Sequence, residues 1–251
     1  MTQESQEELY GVCLDKVIEK HEPWQYSISD KESKEVSNSL SSLSPSVRIA
    51  VIKEKIWSKR KLTVYFLEGD IAVRKKVKYY ARIWSNFAKI RFVFTSNPNA
   101  DIRISFDEGG GSWSYIGTDA LSIDKDEPTM NYGWLDETSS DQEYSRVVLH
   151  EFGHALGCIH EHQNPAAEIP WNKKVIYSEL GRPPNNWSKS VVDHNLFSRY
   201  SKTITQYSKF DPQSIMLYPV PARWTTNNKA IGGDNSQLSI TDKDFIKTVY
   251  P

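Results

Sequence analysis

At 251 residues, with 25% charged and 38% apolar side chains, the chain has an ordinary globular composition and room for one large domain or two small ones. A formal net charge of −1 leaves no electrostatic footprint for nucleic acid or an anionic membrane, and no apolar run approaches the ~20 residues needed to span a bilayer. Cys13 and Cys158 are the only cysteines, so a disulfide framework is excluded, and a reducing compartment is permitted without being required.

Residues 1–55 differ from the rest. Their first eight residues are polar and acidic, with no secretory leader, and residues 37–46 approach low complexity. Short helices fit residues 8–20 and 47–53, and the segment as a whole reads as an N-terminal extension resembling a pro-segment. A globular pattern, taken as a domain over 56–251, follows. Leu62-Thr63-Val64-Tyr65-Phe66-Leu67 reads as a strand, and residues 71–87 as a helix with Val73, Val77, Tyr80 or Ala81, and Trp84 on one face. The basic runs Ser58-Lys59-Arg60-Lys61 and Arg74-Lys75-Lys76 read as solvated faces. Residues 91–95 and 101–106 are two further strands; the Gly109-Gly110-Gly111 cluster then leads into residues 112–117, and residues 129–134 are one more strand. Asp124-Lys125-Asp126-Glu127 fits no known calcium loop and reads as a solvated turn.

Residues 150–160 fill every fixed position of H-E-x-x-H-x-x-G-x-x-H. Two histidines four apart on a helix often mean nothing, and H-E-x-x-H alone arises by chance. Five fixed residues over eleven positions, behind a helix start at Ser140-Asp141-Gln142-Glu143 that reads as a capping box, are harder to dismiss. The helix spans 141–156, with Val148, Phe152 and Ala155 or Leu156 toward a core. On it His150 and His154 lie one turn apart on one face, so both imidazoles reach one metal. Glu151 beside them can hold a water without being a ligand. Gly157 lets the chain leave through a left-handed residue and return His160 as third ligand. Three histidines and an open fourth position describe a catalytic zinc site. Among the remaining candidates, Cys158 reads as a small core residue and His162 as flanking the cleft or the solvent. His21 and His194 are too isolated to interpret. Cys13 is either an ordinary cysteine or a latency ligand for the metal.

Ser214-Ile215-Met216-Leu217-Tyr218-Pro219 follows some fifty residues later. Zinc motif plus methionine turn resembles the metzincin metalloproteases. Glu161 directly after the third histidine, and Tyr218 two residues after Met216, are similar to the astacins among them, here a divergent microbial branch covering about 56–251. The resemblance implies an α/β (α+β) fold of two lobes. A twisted mixed sheet and the zinc helix form the first, and an irregular C-terminal lobe closes with a helix over 242–250 capped by Thr241. It implies Met216 as a hydrophobic floor beneath the ligands and Tyr218 as a movable zinc ligand that then stabilises the oxyanion. It also implies Ser112, Trp113, Ser114 and Tyr115 as an edge strand for substrate. Residues 219–228 would wall the pocket after the scissile bond. Two departures are plain: the catalytic region can form neither of the two usual disulfides, and no Phe-x-Gly-Asp motif precedes residue 56.

These readings converge on a hydrolase, a zinc-dependent endopeptidase using a metal-activated water. The alternative is a latent or non-catalytic zinc-bound protein that binds peptides. The expected partner is a peptide or protein substrate, with no nucleic acid and no membrane, and the chain is expected to be a monomer. The compartment stays open: the missing leader and disulfides favour the cell interior, the family resemblance favours secretion.

Overall fold

The computed structural model describes residues 50–251 apart from Pro184 and Ser208. The helix expected over 8–20, and Cys13, lie outside the described residues. A five-stranded sheet is built from β2 (Lys61–Phe66), β3 (Arg91–Phe94), β4 (Ile102–Ser105), β5 (Trp113–Ser114) and β6 (Met130–Asn131), in the order β3-β2-β4-β6-β5. The first four run parallel and β5 pairs antiparallel with β6. One edge of the sheet therefore belongs to the two-residue β5, whose outer side has no neighbouring strand among the described residues. A short pair, β1 (Val51–Ile52) with β7 (Thr205–Gln206), lies apart.

Helix α1 (Ile71–Ala81) crosses between β2 and β3 and packs on α2 (Asp141–Ala155). Helix α1 buries one apolar stripe, Val73, Val77 and Ala81, whereas α2 is buried all round from Val147 to Ala155, with Tyr144, Val148, Phe152 and Ala155 in the main core. Alternate residues of β2 (Leu62, Val64 and Phe66) enter the same core, as a period of two requires. A second, smaller core around Ile176, Leu180, Val192, Leu196, Val220 and Trp224 holds the C-terminal lobe. That lobe contains α3 (Lys173–Leu180) and α4 (Lys189–Val192), which runs on into a π-helical turn over Asp193–Phe197. Helix α5 (Ile240–Val249) closes the chain and returns Phe245, Ile246 and Val249 to the main core. The architecture is thus the two-lobed α/β arrangement expected, with irregular structure concentrated after residue 160.

Four elements depart from expectation. Residues 51–52 form strand rather than helix, because Val51 pairs with both Gln206 and Cys158. Helix α1 stops at Ala81. The chain tightens into a 3-10 turn at Trp84–Asn86, which lets the buried Trp84 indole donate to the Leu149 carbonyl at 3.0 Å. Strand β6 shrinks to two residues, since the Asn131 side chain takes over the backbone of the preceding loop. Its amide donates to the Asp107 carbonyl, and its oxygen accepts from Asp107 N–H and Ser105 Oγ–H. Helix α5 starts at Ile240 under Ser239, not Thr241, with Ser239 and Asp242 forming a reciprocal capping box. The box expected at the zinc helix is half made. Ser140 accepts from Glu143 N–H at 3.1 Å, but the Glu143 carboxylate turns to Trp134 and Arg146.

Candidate active site

Helix α2 delivers His150 and His154 to the same side, and both are buried. The helix ends at Leu156, and Gly157 takes φ +97°, a conformation that costs a glycine least. The chain reverses there, and His160 returns to the other two histidines. Potential ligand atoms of the three lie within 4.8 Å of one another. His154 Nε2 sits 3.1 Å from His150 Nε2 and 3.3 Å from His160 Nε2.

Main-chain carbonyls orient two of the rings. Ile215 O lies 2.8 Å from His150 Nδ1, and Cys158 O lies 2.8 Å from His154 Nδ1. A carbonyl only accepts, so each Nδ1 carries the proton and each Nε2 presents its lone pair. Burial, and then the neighbouring histidines, hold the His150 ring well below the usual histidine range; burial and His162 do the same for His160. Neutral imidazoles with their lone pairs turned on one point repel each other unless a cation takes that point. The donor set therefore fits a zinc ion, with an outer layer of carbonyls holding the tautomers.

Met216 is fully buried against the helix, where a Cβ on Gly153 would stand 2.4 Å from its sulfur. Helix and methionine turn touch only because residue 153 has no side chain. The Met216 carbonyl accepts from Glu161 N–H at 2.9 Å, tying the third-histidine segment to the turn. The Tyr218 hydroxyl stands 2.8 Å from His160 Nε2 and 3.2 Å from His150 Nε2. Glu151, next to His150 on α2, is almost wholly buried. The structure thus gathers His150, His154, His160 and Tyr218 in one place, with Gly157 at the turn that permits it, Glu151 next to His150 in sequence and Met216 packed against Gly153 of the same helix.

Of the predicted edge residues, Trp113 and Ser114 form β5, and Ser112 and Tyr115 flank it. Ser112, Trp113 and Ser114 have buried side chains, and Ser112 Oγ accepts from Gly133 N–H at 3.2 Å. What this stretch can present to a peptide is its backbone.

The remaining candidates settle as follows. His162 does not face solvent; it lies beside the histidine cluster, its ring centroid 6.3 Å from that of Tyr218. It is buried, stacked on His160 with centroids 5.1 Å apart, and its Nε2 lies 2.8 Å from Asn195 O. Cys158 is a core residue, and burial pushes its thiol upward, away from thiolate chemistry. Asp124, Lys125, Asp126 and Glu127 form an exposed turn, as expected, and its backbone is anchored from below: carbonyls of Ile123, Asp124 and Glu127 accept from the buried Arg103 guanidinium at 2.8–3.2 Å. Arg103 carries no sequence signal beyond an arginine in a strand. Glu161 is buried, with Oε1 accepting from Asn164 Nδ2–H and Asp211 N–H, and burial lifts its carboxyl to about 8.

A mixed sheet with a free antiparallel edge, a helix bearing two histidines, a returning third histidine and a methionine turn below them define a two-lobed zinc metalloendopeptidase domain. The chain belongs to the astacin family of peptidases, whose model matches residues 50–251, and zinc is its cofactor. It is 24% identical over 203 residues to the zinc metalloproteinase dpy-31 of Teladorsagia circumcincta, covering 77% of this chain and 31% of that protein. The chain spans about a third of the length of the curated relatives it matches. Among solved structures it is similar to myroilysin, at 52% identity and a TM-score of 0.79, covering 80% of this chain and 98% of the other. High choriolytic enzyme 1, a hatching enzyme zinc-protease from the medaka Oryzias latipes, shares the fold at 19% identity and a TM-score of 0.54, over 78% of this chain and 94% of that one. No helix among the described residues is long and apolar enough to cross a membrane.

Proposed function

We propose that this protein is an endopeptidase in which His150, His154 and His160 hold zinc and Glu151 and Tyr218 carry the proton and charge work on a peptide bond. The observation that carries the reading is the convergence of three Nε2 atoms, two of them turned inward as lone pairs by Nδ1–H bonds to main-chain carbonyls. When bound, zinc supplies Lewis acidity, polarising the scissile carbonyl and acidifying the attacking water.

The chain's own residues do the rest. Glu151 accepts a proton as water oxygen bonds to the carbonyl carbon, and delivers that proton to the amine nitrogen as the C–N bond breaks. Its burial supports this role, since a carboxylate shielded from bulk water meets the water and the leaving amine without competition from solvent. Tyr218 keeps its proton and donates a hydrogen bond to the oxyanion that forms meanwhile; a phenol beside the histidine cluster is well placed to do so. An extended substrate adds to the outer edge of β5 through main-chain hydrogen bonds, consistent with the buried side chains of Trp113 and Ser114. The stretch 219–228 walls the cleft after the scissile bond. It is braced by the pairings Val220 with Ile231 and Thr225 with Trp171. The substrate is a peptide or protein, and family membership supports action outside the cell.

A quenched fluorescent peptide library tests this, with wild type and Glu151→Ala compared and zinc measured in both. Zinc near one per chain in each, with cleavage only by wild type, is expected. Zinc in both and cleavage by neither would replace the enzyme with a zinc-stabilised peptide-binding protein.

A further inference from the structure

The first turn of α5 reaches back into the active centre. Asp242 is 0% exposed, and three hydrogens converge on its two oxygens. Oδ1 accepts from Ser214 Oγ–H at 2.8 Å, while Oδ2 accepts from Ile215 N–H at 2.9 Å and Ser239 N–H at 2.8 Å. Only the last is the ordinary work of a capping box. The other two donors belong to the methionine turn, 27 and 28 residues earlier in the chain. Ser214 Oγ, held by Asp242, in turn accepts from Met216 N–H at 3.1 Å, so all three residues 214–216 are fixed from one carboxylate.

That turn is what the histidines lean on. The Ile215 amide that donates to Asp242 is followed by the Ile215 carbonyl that accepts from His150 Nδ1–H at 2.8 Å. The Met216 carbonyl accepts from Glu161 N–H, directly after His160. A second strut runs alongside. Ser239 Oγ–H donates to Asp211 Oδ2 at 2.7 Å, and Asp211 N–H donates to Glu161 Oε1 at 2.8 Å. The chemistry asks for an acceptor-only group: an amide at position 242 would set one NH2 against the donors that now converge there.

We propose that Asp242 is a positioning residue for the metal centre: it locks the 214–216 turn so that the Ile215 carbonyl holds the His150 tautomer with Nε2 turned inward. The inference rests on the three-histidine zinc reading above. It predicts that zinc affinity depends on a carboxylate belonging to the C-terminal helix and touching no ligand.

The test compares zinc affinity, by chelator competition, with the melting temperature of the metal-free protein in wild type, Asp242→Asn, Ser214→Ala and Phe245→Leu. Phe245 lies on the core face of the same helix and takes no part in the network, so it reports helix docking alone. Asp242→Asn is expected to weaken zinc binding about 10–100-fold, the usual range for partners that orient ligands. Ser214→Ala, which removes one of the three bonds, should weaken it less. Phe245→Leu should lower the metal-free melting temperature and leave zinc affinity as in wild type. Wild-type affinity in Asp242→Asn, or an equal loss in Phe245→Leu, overturns the proposal. Should Asp242→Asn fail to fold, unchanged affinity in Ser214→Ala overturns it instead. A wild-type chain that takes up no zinc defeats the three-histidine reading itself.

Discussion

Gly153→Ala separates what the helix wants from what the site allows. Gly153 lies inside α2 between the first two histidines, and in an isolated helix alanine would be better by about 1 kcal/mol. The new Cβ, however, would stand 2.4 Å from Met216 Sδ and 3.3 Å from both Met216 Cε and Trp84 Cζ2. Ordinary carbon contacts lie at about 3.5–4.0 Å, so the sulfur must move by more than about 1 Å. It has little room to do so. Met216 and Trp84 are both fully buried, and the indole is held by its bond to Leu149 O. Overpacking of this kind costs about 1–3 kcal/mol, which outweighs the helix gain and leaves a net loss of up to about 2 kcal/mol. For a domain of this size that is a fall of roughly 2–4 °C in Tm per kcal/mol. The assay is thermal unfolding of the metal-free protein in a double-mutant cycle with Met216→Ala. In the Met216→Ala background the sulfur clash is gone and only the milder 3.3 Å contact with Trp84 Cζ2 remains, so Gly153→Ala should become much less destabilising, or stabilising by up to about 1 kcal/mol. A rise in Tm on Gly153→Ala with Met216 intact would refute the packing argument.

Other outcomes follow from the same geometry. Glu151→Gln should keep its zinc and lose about 10²–10⁴ in kcat, the usual worth of a positioned general base; peptide hydrolysis and metal analysis check both halves. Tyr218→Phe removes a donor to the oxyanion, so kcat should fall about 10²–10³-fold with zinc content unchanged; an effect confined to KM would point to substrate binding instead. Burial lifts the Asp242 carboxyl to about 6 from 3.8, against the pull of the Ile215 and Ser239 amides and the Ser214 hydroxyl. The folded chain therefore holds this proton more tightly than the unfolded chain, so its contribution is full below about pH 4 and lost as pH rises through about 6. The metal-free Tm of wild type relative to Asp242→Asn should accordingly decline between pH 4 and 7, and a relative gain over that window would contradict it. Arg103→Gln strips a buried guanidinium from the carbonyls of Ala100, Ile123, Asp124 and Glu127. At about 1–3 kcal/mol per stranded acceptor the variant should unfold well below wild type, which denaturant titration will measure.

The zinc helix shows how much was legible beforehand. Hydrophobic spacing and Ser140 place it over 141–156, against Asp141–Ala155 observed, because both the period and the cap are local. The same holds for β2, and for the start of α1 under Asp70, whose carboxylate accepts from Ala72 N–H. Where residues 71–87, 129–134 and 47–53 departed from expectation, a distant partner intervened: Leu149 O for Trp84, the 107–111 loop for Asn131, and β7 with Cys158 for Val51. No window of neighbouring residues contains those partners.

Local pattern was enough to nominate candidate groups. The three histidines, Glu151 and the reversing Gly157 follow from spacing along one helix and its exit, where backbone geometry leaves little freedom, whereas Met216 and Tyr218 were nominated through the family resemblance. How those groups are held was set by the folded chain. His150 and His154 owe their tautomers to carbonyls at 215 and 158, Met216 fits because Gly153 is bare, and the turn is gripped by Asp242 from the far end of the chain. Orientation is imposed by hydrogen bonds and contacts between segments remote in sequence, and only folding brings those segments together.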